Sequence, residues 1–388
     1  MKNYCVLNKI GEGTFSEVLK CQSLKDGKIY ALKKLKKPFK NMDDAFGLLE
    51  VQAMKKLGPH PNIIHLKEVI YDKRSQSVLL VTEMMDMNAY ELIKGRRSYI
   101  TETRLKPYMY QLMKSLHHMH KYGYFHRDVK PENILIKDDQ LKLADFGSCR
   151  LINTTPPYTE YISTRWYRAP ECILTNGDYS SKMDMWSAGC VFYEIMTLRP
   201  LFPGTDEFDQ INKIHDCLGT PSKELLQTFV ENRNKHIPFD FEPKTGTGFQ
   251  HNLKHASSGF VDLLKALLVY DPNERLVAKA ALKHPYFREF REAEQRIIAQ
   301  NNARRQKHAT SQSSYVSLPT ISASFNPLYR YAANPCLASS TSSQAMPHIP
   351  KQRYQYAPKG HLIRKVSDYS LPSILGKKHS KDNSNSYI

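Results

Sequence analysis

The sequence predicts an α+β fold built as two unequal lobes: a small β-rich amino-terminal lobe with one main helix, then a larger helical lobe, with a basic tail behind it. Three features of the 388 residues carry that expectation. Short β-type apolar runs separated by turns occupy residues 1–82, helical apolar spacing dominates residues 83–287, and apolar residues thin out after about residue 290. The divisions that follow are 1–82, 83–287 and 288–388.

In the small lobe the runs 6–10, 17–22, 29–35 and 77–82 read as strands, each bounded by turn-forming residues. Residues 45–57 place Phe46, Leu49, Ala53 and Leu57 near helical spacing, and Gly58-Pro59 stops that helix. In the large lobe Leu105, Tyr108, Met109, Leu112, Met113, Leu116 and Met119 form an i, i+3, i+4, i+7 stripe, the pattern of a core-facing helix. Ile134-Leu135-Ile136 and Leu141-Lys142-Leu143 flank Asp138-Asp139-Gln140 and predict a short hairpin. Residues 185–196 are apolar nearly all round, which predicts a buried helix. From Asn301 onward, Ser, Thr, Asn, Pro and basic residues lack periodicity and predict disorder over 301–388, while 288–300 is compatible with an extension of the last helix.

Composition narrows the partners. Hydrophobic residues make up 41% and aromatic residues 11%, enough for a large core. The net charge of +18 invites a nucleic-acid or membrane-surface reading, but residues 288–388 hold 15 Lys or Arg against 5 Asp or Glu, so about half the excess sits in the tail. No specific nucleic-acid partner is expected from such a distribution. The seven cysteines are odd in number, scattered and never spaced as a C-x-x-C pair, which disfavours a zinc site or disulfide framework. No apolar run of about 18 residues and no secretion-signal pattern is present, so a soluble intracellular protein without a transmembrane segment is expected.

The chemistry-bearing residues follow in order. Gly11-Glu12-Gly13-Thr14-Phe15-Ser16-Glu17-Val18, between two expected strands, approximates a glycine-rich loop whose backbone N–H groups can cover phosphates, with Ser16 where a third glycine would stand. Glycine pairs also mark ordinary hairpins. Lys33, closing Tyr30-Ala31-Leu32-Lys33, would point an ammonium beneath that loop, and Glu50 on the lobe's one helix could hold it against phosphates; either residue alone reads more often as a solvated charge. The segment His126-Arg127-Asp128-Val129-Lys130-Pro131-Glu132-Asn133 is followed by the hairpin and then Asp145-Phe146-Gly147. Phosphoryl transfer needs a carboxylate beside the attacking hydroxyl, hard oxygen ligands for a metal, and cations for developing charge. Asp128 suits the first role, Asn133 and Asp145 suit magnesium, and Lys130 suits the moving phosphoryl group.

Those motifs, together with Ala169-Pro170-Glu171, Asp184-Met185-Trp186-Ser187-Ala188-Gly189 and Asp271-Pro272-Asn273-Glu274-Arg275, resemble the protein kinase superfamily over about residues 4–287. The resemblance implies the bilobal protein kinase fold, ATP and Mg2+ as cofactors, and protein substrates. It implies a buried ion pair between Glu171 and Arg275, and a brace from Asp184 to the catalytic loop. It also implies an ATP site with Ile10, Ala31 and the glycine-rich loop around the nucleotide, Thr82 as gatekeeper before a back pocket, and backbone contacts at Glu83 and Met85.

Thr159-Glu160-Tyr161-Ile162-Ser163-Thr164-Arg165-Trp166-Tyr167-Arg168 looks like the activation segment of the mitogen-activated and cyclin-dependent branch, whose members are proline-leaning Ser/Thr kinases. A phosphate on Tyr161 would draw in Arg165 and Arg168, and one on Thr159 could reach Arg127 and Arg150. Residues 43–49 hold no basic side chain to sense that phosphate, and Leu49-Glu50-Val51 gives no support for a cyclin partner. An upstream activating kinase, a monomeric catalytic domain and a cytoplasmic, nuclear or ciliary location are the further expectations from the resemblance. Two other functions stand beside this one: a catalytically silent pseudokinase scaffold, against which Lys33, Asp128 and Asp145 argue, and binding of anionic partners by tail residues such as Arg304-Arg305 and Arg364-Lys365. Ser367, after Arg364-Lys365-Val366, has the setting of a basophilic kinase substrate.

Overall fold

The computed structural model describes residues 3–154, 158 and 164–313, with side chains described as far as residue 304. The small lobe is an antiparallel sheet of β1 (Tyr4–Glu12), β2 (Ser16–Ser23), β3 (Ile29–Leu35), β4 (Leu66–Asp72) and β5 (Ser77–Glu83), in the order β1-β2-β3-β5-β4. Alternation along β3 explains its two faces: Leu32 joins a small cluster with Tyr4, Leu19, Cys21, Leu79 and Val81, while Ala31 and Lys33 face the opposite side. β4 was not expected from sequence. It is an edge strand paired only with β5, mostly half-buried, and its register shifts between Leu66 and Glu68, so it carries no clean two-residue alternation.

The helix expected over 45–57 is in fact two. α1 (Met42–Phe46) is capped by Asn41, whose side chain accepts the Asp44 N–H at 2.9 Å, and ends at Gly47. Leu48 is extended, and α2 (Leu49–Leu57) starts after it with Glu50 in its first turn. Gly47 is the weak point of the apparent periodicity: Ala45 is buried, whereas Phe46 is 38% exposed and lies outside the core stripe. Val51, Ala53, Met54 and Leu57 then bury against Val78, Leu80, Ile63 and Ile64.

The large lobe opens with β6 (Met87–Asn88) and α3 (Ala89–Ile93), which begins with a capping box between Asn88 and Glu91. α4 (Glu102–Lys121) buries the expected stripe from Leu105 to Met119. β7 (Tyr124–Phe125), β8 (Ile134–Lys137), β9 (Gln140–Leu143) and β10 (Arg150–Leu151) follow. The β8–β9 hairpin turns on two residues, Asp138 (φ 47) and Asp139 (φ 59), so Gln140 belongs to the strand and pairs with Lys137. α5 (Pro170–Leu174), α6 (Lys182–Thr197), α7 (Glu207–Leu218), α8 (Lys223–Val230), α9 (Ser258–Leu267) and α10 (Ala278–Ala281) complete the lobe, and every residue of α6 from Met183 to Thr197 is buried. α11 (Arg288–Ser313) runs beyond the expected boundary, so residues 301–313 are helical rather than disordered. Phe290 stacks on Tyr110 at 5.1 Å and Glu294 accepts from the Tyr110 hydroxyl and Lys114 Nζ, each at 2.7 Å, while no Pro or Gly interrupts the continuation. Among the described residues no helix is long and apolar enough to cross a membrane.

One buried ion pair ties α5 to the segment after α9. Arg275 donates to both oxygens of Glu171, at 2.6 and 2.9 Å, and to the carbonyls of Val269, Tyr270 and Lys182 at 2.9, 3.1 and 3.0 Å. All five guanidinium N–H donors are thereby used, and Glu171 is only 1% exposed. Removing one partner leaves the other's charge buried and uncompensated. Arg275→Ala is expected to cost about 3–5 kcal/mol of stability, read from urea unfolding; a loss below about 1 kcal/mol would show that the pair is not a structural tie.

Candidate active site

A cleft of about 620 Å³ lies between the lobes. Ile10, Gly11, Ser16, Val18, Ala31, Lys33, Glu50, Thr82, Glu83, Met85, Asn133 and Asp145 all line it, so most of the expected nucleotide residues come together. Glu12, Gly13, Thr14 and Phe15 do not. They form the tip of the β1–β2 hairpin, closed by Gly13 N–H on Ser16 O at 2.8 Å, with Glu12 paired to Lys9 and Lys36 and Phe15 82% exposed. Met54, Ile64, Leu80, Glu132, Leu135 and Ala144 also line the cleft and were not anticipated. For Leu135 a signal existed: Ile134 and Ile136 are buried in the core, so the residue between them must face the other side of the hairpin.

Lys33 joins the two lobes electrostatically. Its Nζ lies 2.6 Å from Glu50 Oε1 on α2 and 2.7 Å from Asp145 Oδ1 on the large lobe. Burial works against its charge, but the two carboxylates overcome that and hold the Lys33 pKa above the ordinary lysine range. Burial likewise opposes charge on Asp145, and the Lys33 ammonium reverses it, keeping the carboxyl below its usual range. Asp145 sits in the left-handed region (φ 62) and its side chain accepts the Gly147 N–H. A Cβ on Gly147 would stand 3.3 Å from Asp145 Oδ1 and 3.7 Å from Lys33 Nζ, so glycine leaves this close approach open.

The loop carrying Asp128 is fixed from beneath. Asp184 Oδ2 accepts from His126 N–H and His120 Nε2, and its Oδ1 accepts from Arg127 N–H, all at 2.8 Å. Asp128 Oδ2 accepts from Lys130 Nζ and Asn133 Nδ2, both at 2.9 Å. Asp128 Oδ1 is buried with no hydrogen-bond partner among the described residues. Asn133 spends its two amide hydrogens on Asp128, the second on the backbone carbonyl at 2.8 Å, which leaves its amide oxygen as an acceptor toward the cleft.

Thr159 and Tyr161 lie outside the described residues. Of the basic residues expected to meet their phosphates, Arg165 donates to Thr205 O at 2.9 Å, and Arg168 is buried and pairs with Glu207 at 3.0 Å. Arg127 donates to the Tyr179 hydroxyl at 2.7 Å, and Arg150 donates to the carbonyl of Cys149 at 2.9 Å.

Comparison with known proteins gives this geometry a family. The protein kinase domain model matches residues 4–287. The chain belongs to the protein kinase family. It is 56% identical over 298 residues to the human MAPK/MAK/MRK overlapping kinase, covering 77% of this chain and 71% of that protein. The mouse protein of the same name is 56% identical over 301 residues, covering 78% and 71%. The rat serine/threonine-protein kinase ICK is 41% identical over 288 residues, covering 74% of this chain and 45% of that one. The chain is a protein serine/threonine kinase, and its family uses ATP with Mg2+.

The kinase cleft fits those groups. Among the described residues no cluster of three or more His, Cys, Asp or Glu could cage a metal. Magnesium needs no such cage: one or two protein oxygens beside substrate phosphates suffice, and Asp145 with the Asn133 amide oxygen offers that set. Lys33 gives a test that requires no nucleotide. Glu50→Gln removes one of the carboxylates that keep the ammonium protonated, so burial should pull its pKa down and raise the rate at which an activated ester acylates Lys33 at pH 8–9, measured by mass spectrometry. An unchanged rate would show that Glu50 does not control that charge.

Proposed function

We propose that this enzyme transfers the γ-phosphoryl group of ATP to serine or threonine hydroxyls of proteins through Asp128, as one step in a phosphorylation cascade. The observation that carries the reading is the divided carboxylate of Asp128: Oδ2 is tied to Lys130 and Asn133, while Oδ1 is buried and without a partner among the described residues. Such an oxygen is suited to orient a substrate hydroxyl and take its proton. When bound, ATP with magnesium supplies the phosphoryl group and shields its charge. Lys33 would hold phosphate oxygens, being already set by Glu50. Asn133 and Asp145 would hold the metal. Lys130, 2.9 Å from Asp128, places a cation where charge builds on the transferring group. The apolar walls from Ala31, Leu135 and Ala144 would receive the adenine ring, with Glu83 and Met85 backbone beside it.

Phosphorylation of Thr159 and Tyr161 by an upstream kinase or by the enzyme itself is the proposed switch, and Arg127 with Arg150 is the proposed receiver of the Thr159 phosphate. The activation segment's resemblance to proline-leaning kinases supports a preference for proline after the acceptor.

Asp128→Asn should lower phosphate transfer to a basic protein by at least about 10²-fold while leaving ATP binding nearly unchanged; transfer at the unsubstituted rate would remove Asp128 from its role. Peptide arrays should show Ser-Pro and Thr-Pro used in preference to Ser-Ala, and equal use would overturn the proline preference.

A further inference from the structure

Tyr158 stands beside the catalytic loop with aromatic partners on two sides. Its ring meets Phe125 edge-on at 5.4 Å and lies 5.2 Å from the Tyr179 ring. The guanidinium of Arg127 lies over both tyrosines, 5.7 Å from the centroid of Tyr158 and 5.5 Å from that of Tyr179. Arg127 is 1% exposed, so its charge needs compensation, and electron-rich ring faces supply part of it.

The backbone of Tyr158 is held as firmly as its ring. Its N–H donates to Gly177 O at 2.9 Å. Gly177 has φ +88, and a Cβ there would stand 2.0 Å from Tyr158 O, so only glycine permits this approach. The Tyr158 hydroxyl donates to Thr154 O at 2.5 Å, which anchors the preceding chain as well. The cluster reaches Asp128 through Arg127, which precedes it, is itself in the left-handed region (φ 71), and has its N–H bonded to Asp184.

We propose that Tyr158 is a positioning residue whose ring holds Arg127, and through it the Asp128 loop, in the transfer-ready arrangement while the activation segment carries no phosphate. The aromatic face supplies part of the compensation for the guanidinium that a phosphate would supply more fully after activation. The proposal rests on the reading of Asp128 as the proton acceptor, and it adds a phosphate-independent hold on that site.

The test uses the full chain after phosphatase treatment, unsubstituted and as Tyr158→Ala, Tyr158→Phe and Gly177→Ala. Two readouts are taken: phosphate transfer, and the rate of trypsin cleavage at Arg150 and Arg165, between which the sequence holds no other Lys or Arg. Tyr158→Ala and Gly177→Ala should be cut about tenfold faster, because the local anchor is gone. Tyr158→Ala should also lose about tenfold in kcat with KM for ATP within about twofold, whereas Tyr158→Phe, which keeps the ring but loses the bond to Thr154, should keep kcat within about twofold and be cut at a rate between those of the unsubstituted chain and Tyr158→Ala. Melting temperatures within about 2 °C of one another would separate this local effect from general destabilisation. Cleavage of Tyr158→Ala at the unsubstituted rate, or a Phe variant as impaired as the Ala variant, overturns the proposal. If the unsubstituted chain transfers nothing, the Asp128 reading falls separately, and the cleavage rates still uphold or overturn the anchor.

Discussion

Asp184 is fully buried, and its carboxylate receives backbone N–H groups of His126 and Arg127 together with His120 Nε2. A buried charge of this kind is tolerable only while its donors are in place. The same three bonds compel the loop above to keep its shape, including a non-glycine residue, Arg127, at φ 71. Such a conformation costs on the order of 1–3 kcal/mol and persists only where its surroundings over-determine it. Asp128 follows directly, so the orientation of its carboxylate depends on a residue far away in sequence, on α6. Burial of nearly the whole of α6 makes that foundation rigid.

A second constraint acts across the cleft. Glu50 and Asp145 are like charges brought near one ammonium, one from each lobe. Without Lys33 they would repel, and each would resist burial. With it, α2 and the Asp145 turn are drawn to one point, so the lobes are in register for a nucleotide before one arrives. The pair does not act alone: Val51, Ala53, Met54 and Leu57 pack α2 into the core of the small lobe, so Glu50 is carried to Lys33 on a helix already fixed by burial. The short α1 and the extended Leu48 place the start of α2, and with it Glu50 in the first turn, opposite Lys33.

Much of the site was legible because its residues lie in short contiguous motifs. His126 to Asn133 and Asp145 to Gly147 carry their chemistry in fixed local spacing, and Lys33 follows from alternation along one strand. The hairpin tip was read less well. Glu12 to Phe15 fall within the glycine-rich motif, yet pairing of Glu12 with Lys9 and Lys36 and the outward turn of Phe15 keep them off the cleft wall. β4 was missed because an edge strand need not alternate, and the break at Gly47 was hidden because Leu49, Ala53 and Leu57 keep helical spacing without the residues before them.

The sequence alone indicated the two-lobed α+β class and, through motifs that resemble those of protein kinases, singled out Lys33, Asp128, Asn133 and Asp145 as candidates, since short motifs and local periodicity are carried within contiguous residues. Only the tertiary structure decided which oxygen of Asp128 is held and which is without a partner among the described residues, that Arg168 is held by Glu207 in a buried pair, and that Tyr158 packs on Arg127. The last two bring together partners distant in the chain, and the first, though Lys130 and Asn133 are near Asp128 in sequence, depends on a loop shape held by Asp184 on α6. Local spacing carries no record of such distant partners, whereas burial and distance settle them.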